Sequence, residues 1–450
     1  MKEHHVDLPS DASSNLPSSS DAQTLKEDID TIEGTPTWHF ERNRVRKEDV
    51  RTPWLLEQTG WWDARAFIII QAGAWLGVML SVLLLWEGWT KAKNHKYCLV
   101  YEDDFSLGLD PDVWKTEVQL GGFGTGSFEM TTADEENVFV DEFGLNIMAT
   151  LQDEDLMNTH GATIDLGKKC TANNSGYCSA RTDTLNGTVV PPIKSARVNT
   201  SKQKYITYGR VEIVAKLPAG DWLWPAIWMM PMGDSYGPWP ASGEIDIVES
   251  RGNNYSYPGG GNNIISSSLH WGPDATKDSW YHTYERRTSG HTTFSAGFNI
   301  FTLEWSQKYL FTYINNRLKQ VLYAPLTTSS WEKGEFATAM DTNGTAFKNP
   351  WRNALANAPF DKPFYLILSV AAGATNGYFE DEKGGKPWKD DSPTASKEFW
   401  DARDTWLPTW TQPAMQVKKV VMWQQCNGDE QDWWVPNWLI NANYDLEETN

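Results

Sequence analysis

Residues Gly243–Ser250 read GEIDIVES and place three acids, Glu244, Asp246 and Glu249, among branched apolar residues. This pattern predicts a β-strand, in which successive side chains point to opposite faces. Glu244 and Asp246 therefore share a face, whereas a regular strand turns Glu249 to the other face. One extra residue, a β-bulge at Ile247–Val248, returns Glu249 to the face of the first two acids. The spacing thus predicts a strand that bulges and lines one groove with three carboxyl groups.

Closely spaced carboxyl groups on one face suit the cleavage of glycosidic bonds. In the retaining reaction one carboxylate attacks the sugar and a second group, roughly 5–5.5 Å away, donates and accepts the proton. Repulsion between like charges at that separation keeps one carboxyl protonated near neutral pH. An edge strand with merely solvated acids fits the same spacing, so the spacing alone leaves both interpretations open.

The sequence around this strand predicts an all-β domain. Short apolar runs alternate with Gly, Pro and Asn turns, which is typical of a sandwich or barrel. The clearest runs are Cys98–Phe105, Tyr208–Leu217, Ile264–Trp271, Asn299–Ser306, Tyr309–Asn315, Phe364–Ala372 and Met415–Gln424.

The net charge and the tryptophan content indicate which class of ligand the chain can bind. The net charge of -20 and the pI near 4.8 argue against nucleic acid, which requires a basic face. The chain has 25 tryptophans. Indole rings pack in cores and also stack on the apolar faces of sugars. Composition does not separate these two uses.

One segment predicts a membrane helix. Ala66–Trp86 contains no charged residue and is long enough to cross a bilayer. A buried core helix is the alternative, but such helices rarely stay apolar on every side for this length. The segment begins too far along the chain for an ordinary cleavable signal peptide.

Residues after this helix indicate an oxidising compartment. Five glycosylation sequons follow it, at Asn173, Asn186, Asn199, Asn254 and Asn343. So do all four cysteines, for which we expect the pairs Cys98–Cys426, on the first and last strands, and Cys170–Cys178, within one loop. Four cysteines allow three sets of pairs. We predict a single-pass type II protein whose large domain is lumenal or extracellular.

The sequence divides into five segments. The predicted segments are a disordered cytosolic tail (1–60), a signal anchor (66–86), a stem (87–96), a catalytic domain (97–427) and a C-terminal tail (428–450).

Longer motifs around the acids resemble a known family. These segments are Tyr208–Pro231, Tyr236–Asn253, Ser266–Gly272, Phe364–Asp381, Gly385–Trp410 and Met415–Cys426. Together they resemble glycoside hydrolase family 16, in its laminarinase and β-1,3-glucan-recognition branch, with membrane-anchored fungal members as the nearest likeness. The resemblance runs from Tyr97 to Cys426 and implies a β-jelly-roll sandwich with a concave glucan cleft.

The resemblance also implies a function. Glu244 would be the nucleophile, Glu249 the acid/base, and Asp246 a hydrogen-bond partner of Glu244. The main prediction is a retaining, endo-acting β-1,3-glucan hydrolase. A transglycosylase that remodels wall glucan is one alternative, and a non-catalytic β-1,3-glucan-binding protein is another.

Further residues match sugar-contacting positions of that family. The candidates are Trp224, Trp228, Trp239, His270, Trp271 and Asn376. Each indole is as well suited to the core, the histidine to a structural hydrogen bond and the asparagine to a turn. Lys418 replaces the acid that holds a structural calcium in many relatives, so we predict no metal site there. No cofactor is predicted.

Overall fold

The structure, a computed structural model, describes residues 61–91 and 95–426. Strands and helices are numbered along the chain. The predicted tails at 1–60 and 428–450 and part of the predicted stem lie outside the described residues. The helix at 61–91 and the residues at 95–426 belong to two separate compact units.

Helix α1 spans Trp61–Lys91 and includes the predicted membrane segment. Its part Ala64–Trp86 has a mean hydropathy of 2.2, is not buried, and is long and apolar enough to cross a membrane. A signal sequence has the same properties. The helix also continues through the first five residues of the predicted stem, to Lys91. Together with the disulfides described below, it is typical of a secreted or membrane-anchored protein.

The large unit contains two eight-stranded antiparallel sheets. The front sheet, which carries the acids, runs in the order β16 (Tyr284–Thr288), β15 (Ile264–His270), β14 (Glu244–Ser250), β13 (Leu223–Pro231), β20 (Phe364–Ala372), β10 (Arg197–Asn199) and β2 (Lys115–Thr116), with β11 (Tyr205–Ile206) also on β20.

The back sheet runs in the order β19 (Gln320–Pro325), β18 (Tyr309–Ile314), β17 (Asn299–Trp305), β12 (Gly209–Lys216), β21 (Ala414–Gln425), β5 (Gly144–Met148) and β4 (Val138–Asp141), with β1 (Tyr97–Asp103) also on β21.

Smaller elements complete the large unit. A three-stranded sheet contains β3 (Glu129–Thr131), β9 (Ile193–Ser195) and β6 (Thr150–Leu151), and a hairpin contains β7 (Thr163–Asp165) and β8 (Ser179–Arg181). The short helices are α2 (Glu154–Asn158), α3 (Ser330–Lys333), α4 (Ala395–Asp401) and α5 (Arg403–Trp406). Single 3-10 turns lie at Gly122–Gly124, Gly167–Lys169, Ser175–Tyr177, Ala275–Lys277, Trp280–His282, Phe336–Thr338 and Leu407–Thr409.

The core lies between the two large sheets. Strand β13 shows how the sequence produces it, because its residues alternate strictly between buried and partly exposed. Ile227 and Met229 point into the core with no exposed surface, and they join Phe301 and Leu303 of the back sheet in one apolar cluster. The predicted all-β jelly-roll sandwich is confirmed.

The first and last strands of the large unit are neighbours, as predicted. Strand β1 pairs with β21, and Cys98 is bonded to Cys426. Cys170 and Cys178 form the second disulfide, within one loop. Both expected pairs are therefore present.

Replacing Cys98 and Cys426 with serine is expected to lower the free energy of unfolding by ~2–5 kcal/mol, because this bond closes a long loop. The two residues are 328 positions apart in sequence, whereas Cys170 and Cys178 are 8 apart. Serine at the second pair therefore serves as the matched control and should cost less. Denaturant unfolding of both variants measures the difference, and an equal or smaller loss for the long-range pair would contradict this expectation.

One predicted glycosylation site is wrong. Asn199 is only 1% exposed, and its side chain accepts a hydrogen bond from the backbone of Ser201. It lies within strand β10, so the folded domain has no room for a glycan there. The sequons at Asn173, Asn186, Asn254 and Asn343 are exposed.

Candidate active site

Strand β14 carries the three acids and contains the predicted bulge. Its pairing with β15 shifts register between Asp246 and Glu249. Glu244, Asp246 and Glu249 lie opposite His270, Ser268 and Ser266, in that order. These three partners are spaced by two and therefore share one face of β15. The acids must share that face as well.

The pairing of β14 with β13 shows the same irregularity. Ile227 lies opposite Val248, but the next residue, Trp228, lies opposite Asp246, so Ile247 has no partner on β13. A residue without a partner on the adjacent strand is the defining feature of a β-bulge. The bulge predicted at Ile247–Val248 is therefore confirmed.

Asp246 is the buried centre of the acid group, with 3% of its surface exposed. Ser268 donates a hydrogen bond to it at 2.5 Å, and Nε2 of His270 lies 3.2 Å from the same oxygen. The other ring nitrogen of His270, Nδ1, lies 2.5 Å from Asp278. The imidazole thus joins two carboxylates.

This position controls the charge of His270. Burial alone would lower the pKa of the imidazole, but its hydrogen bonds to Asp246 and Asp278 outweigh burial and raise the pKa well above 6.5. The protonated form of the ring is therefore favoured, and its positive charge partly balances the acid group. One ligand atom from each of Glu244, Asp246 and His270 lies within 4.8 Å of the other two.

The same three side chains carry atoms of the kind that bind a metal cation. Carboxylate oxygens and an imidazole nitrogen are suitable ligands for a divalent transition metal. The ion pair between Asp246 and His270 already satisfies the buried charge without one.

Each glutamate is fixed by a tryptophan. The indole nitrogen of Trp239 donates to Glu244 at 2.5 Å, and that of Trp224 donates to Glu249 at 2.9 Å. Burial, and then the charge of Asp246, raise the pKa of Glu244 to about 8 and the pKa of Glu249 to about 7. Both groups therefore keep much of their proton near neutral pH. The hydrogen bond between Asp246 and Glu244 that the resemblance implies stays a prediction.

These raised pKa values predict how stability depends on pH. The folded chain binds protons at Glu244 that the unfolded chain, with a pKa near 4.5, has released. Stability should therefore fall as the pH rises from about 5 to about 8. Glu244→Gln removes this contribution, so its melting temperature should fall less over the same interval. Equal pH slopes for the variant and the wild type would contradict the raised pKa.

Trp224 is held on one side by a stack that sequence reasoning missed. Its ring lies parallel to that of Tyr378, with centroids 3.9 Å apart and planes at 10°. The guanidinium of Arg251 lies 4.2 Å from the centre of the Tyr378 ring and also donates to the Tyr378 carbonyl. One face of Trp224 is thus unavailable to a sugar, and the stack orients its indole towards Glu249. Arg251 directly follows the acid strand, which is the signal that indicates it in the sequence.

Trp228 and Trp239 are predicted indoles that lie at the site and keep part of their surface exposed to solvent. Trp228 lies opposite Asp246, donates to Ser369 at 3.1 Å, and is only partly buried. The guanidinium of Arg197 lies 4.5 Å from its ring. Trp239 is 39% exposed beside Glu244.

Of the two other predicted contacts, Trp271 lies in the core and Asn376 lies in an exposed turn. Trp271 is 1% exposed, and its indole donates to Thr283 inside the fold at 2.8 Å, so the prediction that it contacts sugar is wrong. It follows the last residue of β15 and points into the core. Asn376 is exposed, but its side chain accepts the backbone N–H of Tyr378, as in a turn.

Comparison with known proteins identifies the family. The family model described as glycosyl hydrolases family 16 matches residues 153–346. A β-1,3-glucan-binding protein of Penaeus monodon is 38% identical over 345 residues, which cover 73% of this chain and 90% of that protein. The chain belongs to glycosyl hydrolase family 16.

Two further similarities are more distant. A β-1,3-glucan-binding protein 1 of Manduca sexta is 30% identical over 319 residues, which cover 69% of this chain and 61% of that protein. The laminarinase of Rhodothermus marinus has 22% identity and a TM-score of 0.47, over 74% of this chain and 100% of that structure.

These relatives overturn the main functional prediction. Both the Penaeus and the Manduca proteins are named for glucan binding and not for hydrolysis. The prediction of a retaining endo-acting hydrolase is therefore wrong, and the comparisons favour the binding alternative. The physical reason is that a cleft lined with indoles and carboxyl groups holds a glucan whether or not a bond is broken. The chain therefore shares the glycosidase-like fold of family 16.

Proposed function

We propose that this family 16 chain is a β-1,3-glucan-binding protein whose site is the acid-bearing face of the front sheet. One observation carries the proposal: partly exposed indoles flank a row of buried hydrogen-bonding groups on that face. Trp228 and Trp239 provide the indoles. Asp246 lies opposite Trp228 in the sheet, and His270, which contacts Asp246, also lies beside the Trp239 ring. The names of the relatives support the same ligand.

The chemistry of the face suits a glucose polymer. The flat C–H faces of pyranose rings pack against indoles. Protonated and ionised carboxyl groups together donate to and accept from sugar hydroxyls. Glu244 and Glu249, whose pKa values are raised to about 8 and about 7, provide both forms near neutral pH. A site with apolar walls and a few fixed polar groups is typical of small-ligand recognition.

The cellular setting is part of the proposal. Helix α1 anchors the chain as a type II membrane protein, with residues 1–60 in the cytosol and the domain at 97–427 on the lumenal or extracellular side. Two disulfides and the exposed sequons at four of the five predicted positions favour that side. A domain anchored there meets cell-wall or environmental glucan.

The test is a titration of the full chain in detergent micelles with laminarin, a β-1,3-glucan. Dextran, an α-1,6-linked glucan, and cello-oligosaccharides, which are β-1,4-linked, are the comparison ligands. We expect saturable binding of laminarin and weaker or no binding of the other two. Failure to bind laminarin, or equal binding of dextran, would refute the proposal.

A further inference from the structure

Three aromatic rings lie together at the edge of the front sheet, outside the acid group. Trp280 is 40% exposed, Tyr281 is 62% exposed, and Tyr284 of strand β16 is partly exposed. The Trp280 ring meets Tyr284 edge-on at 5.2 Å between centroids and Tyr281 edge-on at 6.5 Å. We call these three residues the aromatic ledge.

The register of the front sheet puts Tyr284 of the ledge on the same face as the acids. Trp228 lies opposite Asp246, Asp246 opposite Ser268, and Ser268 opposite Tyr284. Directly opposed residues of antiparallel strands share a face. A single row therefore crosses the sheet from Trp228, through the acid group, to Tyr284.

Ring contacts connect the same two regions. The imidazole of His270 lies 5.7 Å from the Trp239 ring and 6.4 Å from the Trp280 ring. His270 also contacts Asp246. The aromatic surface thus continues from the indole beside Glu244 to the ledge.

The ledge is held in place before any ligand arrives. The 3-10 turn Trp280–His282 is closed by the backbone bond from Thr283 to Trp280, at 2.8 Å. The backbone N–H of Ser279 donates to the Trp271 carbonyl at 2.9 Å. The buried Trp271 indole also donates to the Thr283 hydroxyl. Rings fixed in this way lose little conformational freedom on binding.

Exposed aromatic rings in a contiguous group, next to a polar cleft, are typical of binding surfaces. The core does not need these rings, since much of their area faces solvent. Resting on the proposed function, we propose that the aromatic ledge binds the glucose units of a β-1,3-glucan chain that extend past the acid group towards the edge strand β16. The site then favours long chains over short ones.

The test compares laminaritriose with laminariheptaose, titrated into the full chain in detergent. Wild type should bind the heptaose more tightly than the triose. The variant with Trp280→Ala and Tyr281→Ala should bind the heptaose about tenfold or more weakly, as for aromatic residues at the centre of an interface. Tyr323→Ala, which removes a 52% exposed ring from β19 of the back sheet, is the matched control and should change nothing.

The outcomes are separable. The single variant Tyr281→Ala removes the most exposed ring of the ledge, so it tests the proposal even if the double variant folds poorly. Its heptaose affinity should also fall. If both variants bound the heptaose as tightly as the wild type, the proposal that the aromatic ledge binds glucan would be overturned, and the proposed function would stand. No binding of either sugar by wild type would overturn both.

Discussion

Replacing Trp239 with alanine is expected to weaken the binding of laminarin by about tenfold or more, a factor that corresponds to ~1.4 kcal/mol. The ring is 39% exposed and lies beside the acid group, 5.7 Å from His270. Its indole nitrogen also donates to Glu244. The substitution removes a stacking surface and releases that carboxyl group. Titration calorimetry of the full chain measures the effect.

A conservative variant separates the two roles of this residue. Trp239→Phe keeps an aromatic face but loses the N–H that binds Glu244, so its affinity should lie between those of the wild type and the alanine variant. Tyr323→Ala, on the back sheet, should bind like the wild type. An unchanged affinity in Trp239→Ala would show that the sugar does not rest beside Glu244.

Replacing Trp222 with alanine is expected to lower the free energy of unfolding by ~3–5 kcal/mol, the usual cost of truncating a large buried ring. Trp222 is 2% exposed and is met edge-on by Tyr257, Phe379 and Trp388 at 5.2 to 5.8 Å between centroids. Its backbone carbonyl also accepts the N–H of Gly373. The substitution leaves a cavity surrounded by three rings that cannot all close on it.

Denaturant unfolding measures this loss. Trp280→Ala is the matched control, because the same change at a ring that is 40% exposed removes far less buried area. A loss in Trp222→Ala that is no larger than in the control would contradict the packing described here.

Strand alternation explains why the sequence predicted so much of the site. The period of two makes a three-residue step between Asp246 and Glu249 visible as an anomaly, and a bulge is the local device that resolves it. The pairing of Cys98 with Cys426 followed from the neighbouring positions of first and last strands. Such features depend on local geometry or on a simple rule of topology.

The remaining features depend on contacts between distant residues or on loops. Trp271 and Trp280 lie in the same stretch of sequence, yet the first is core and the second is exposed, because the chain turns after β15. Asp278, which fixes His270, lies in the loop that follows. Asn199 matches a sequon, but only the sheet shows that it is buried. Function was the largest error, since the same three acids suit a hydrolase and a binding cleft.

The central claim is that the acid-bearing face of the front sheet holds a β-1,3-glucan chain. A crystal structure of the chain with laminarihexaose tests it most directly. We expect glucose units against Trp228 and Trp239, with sugar hydroxyls in hydrogen-bond contact with Glu244, Asp246 or Glu249. A glucan bound to the back sheet, with the front face free of sugar, would contradict the claim.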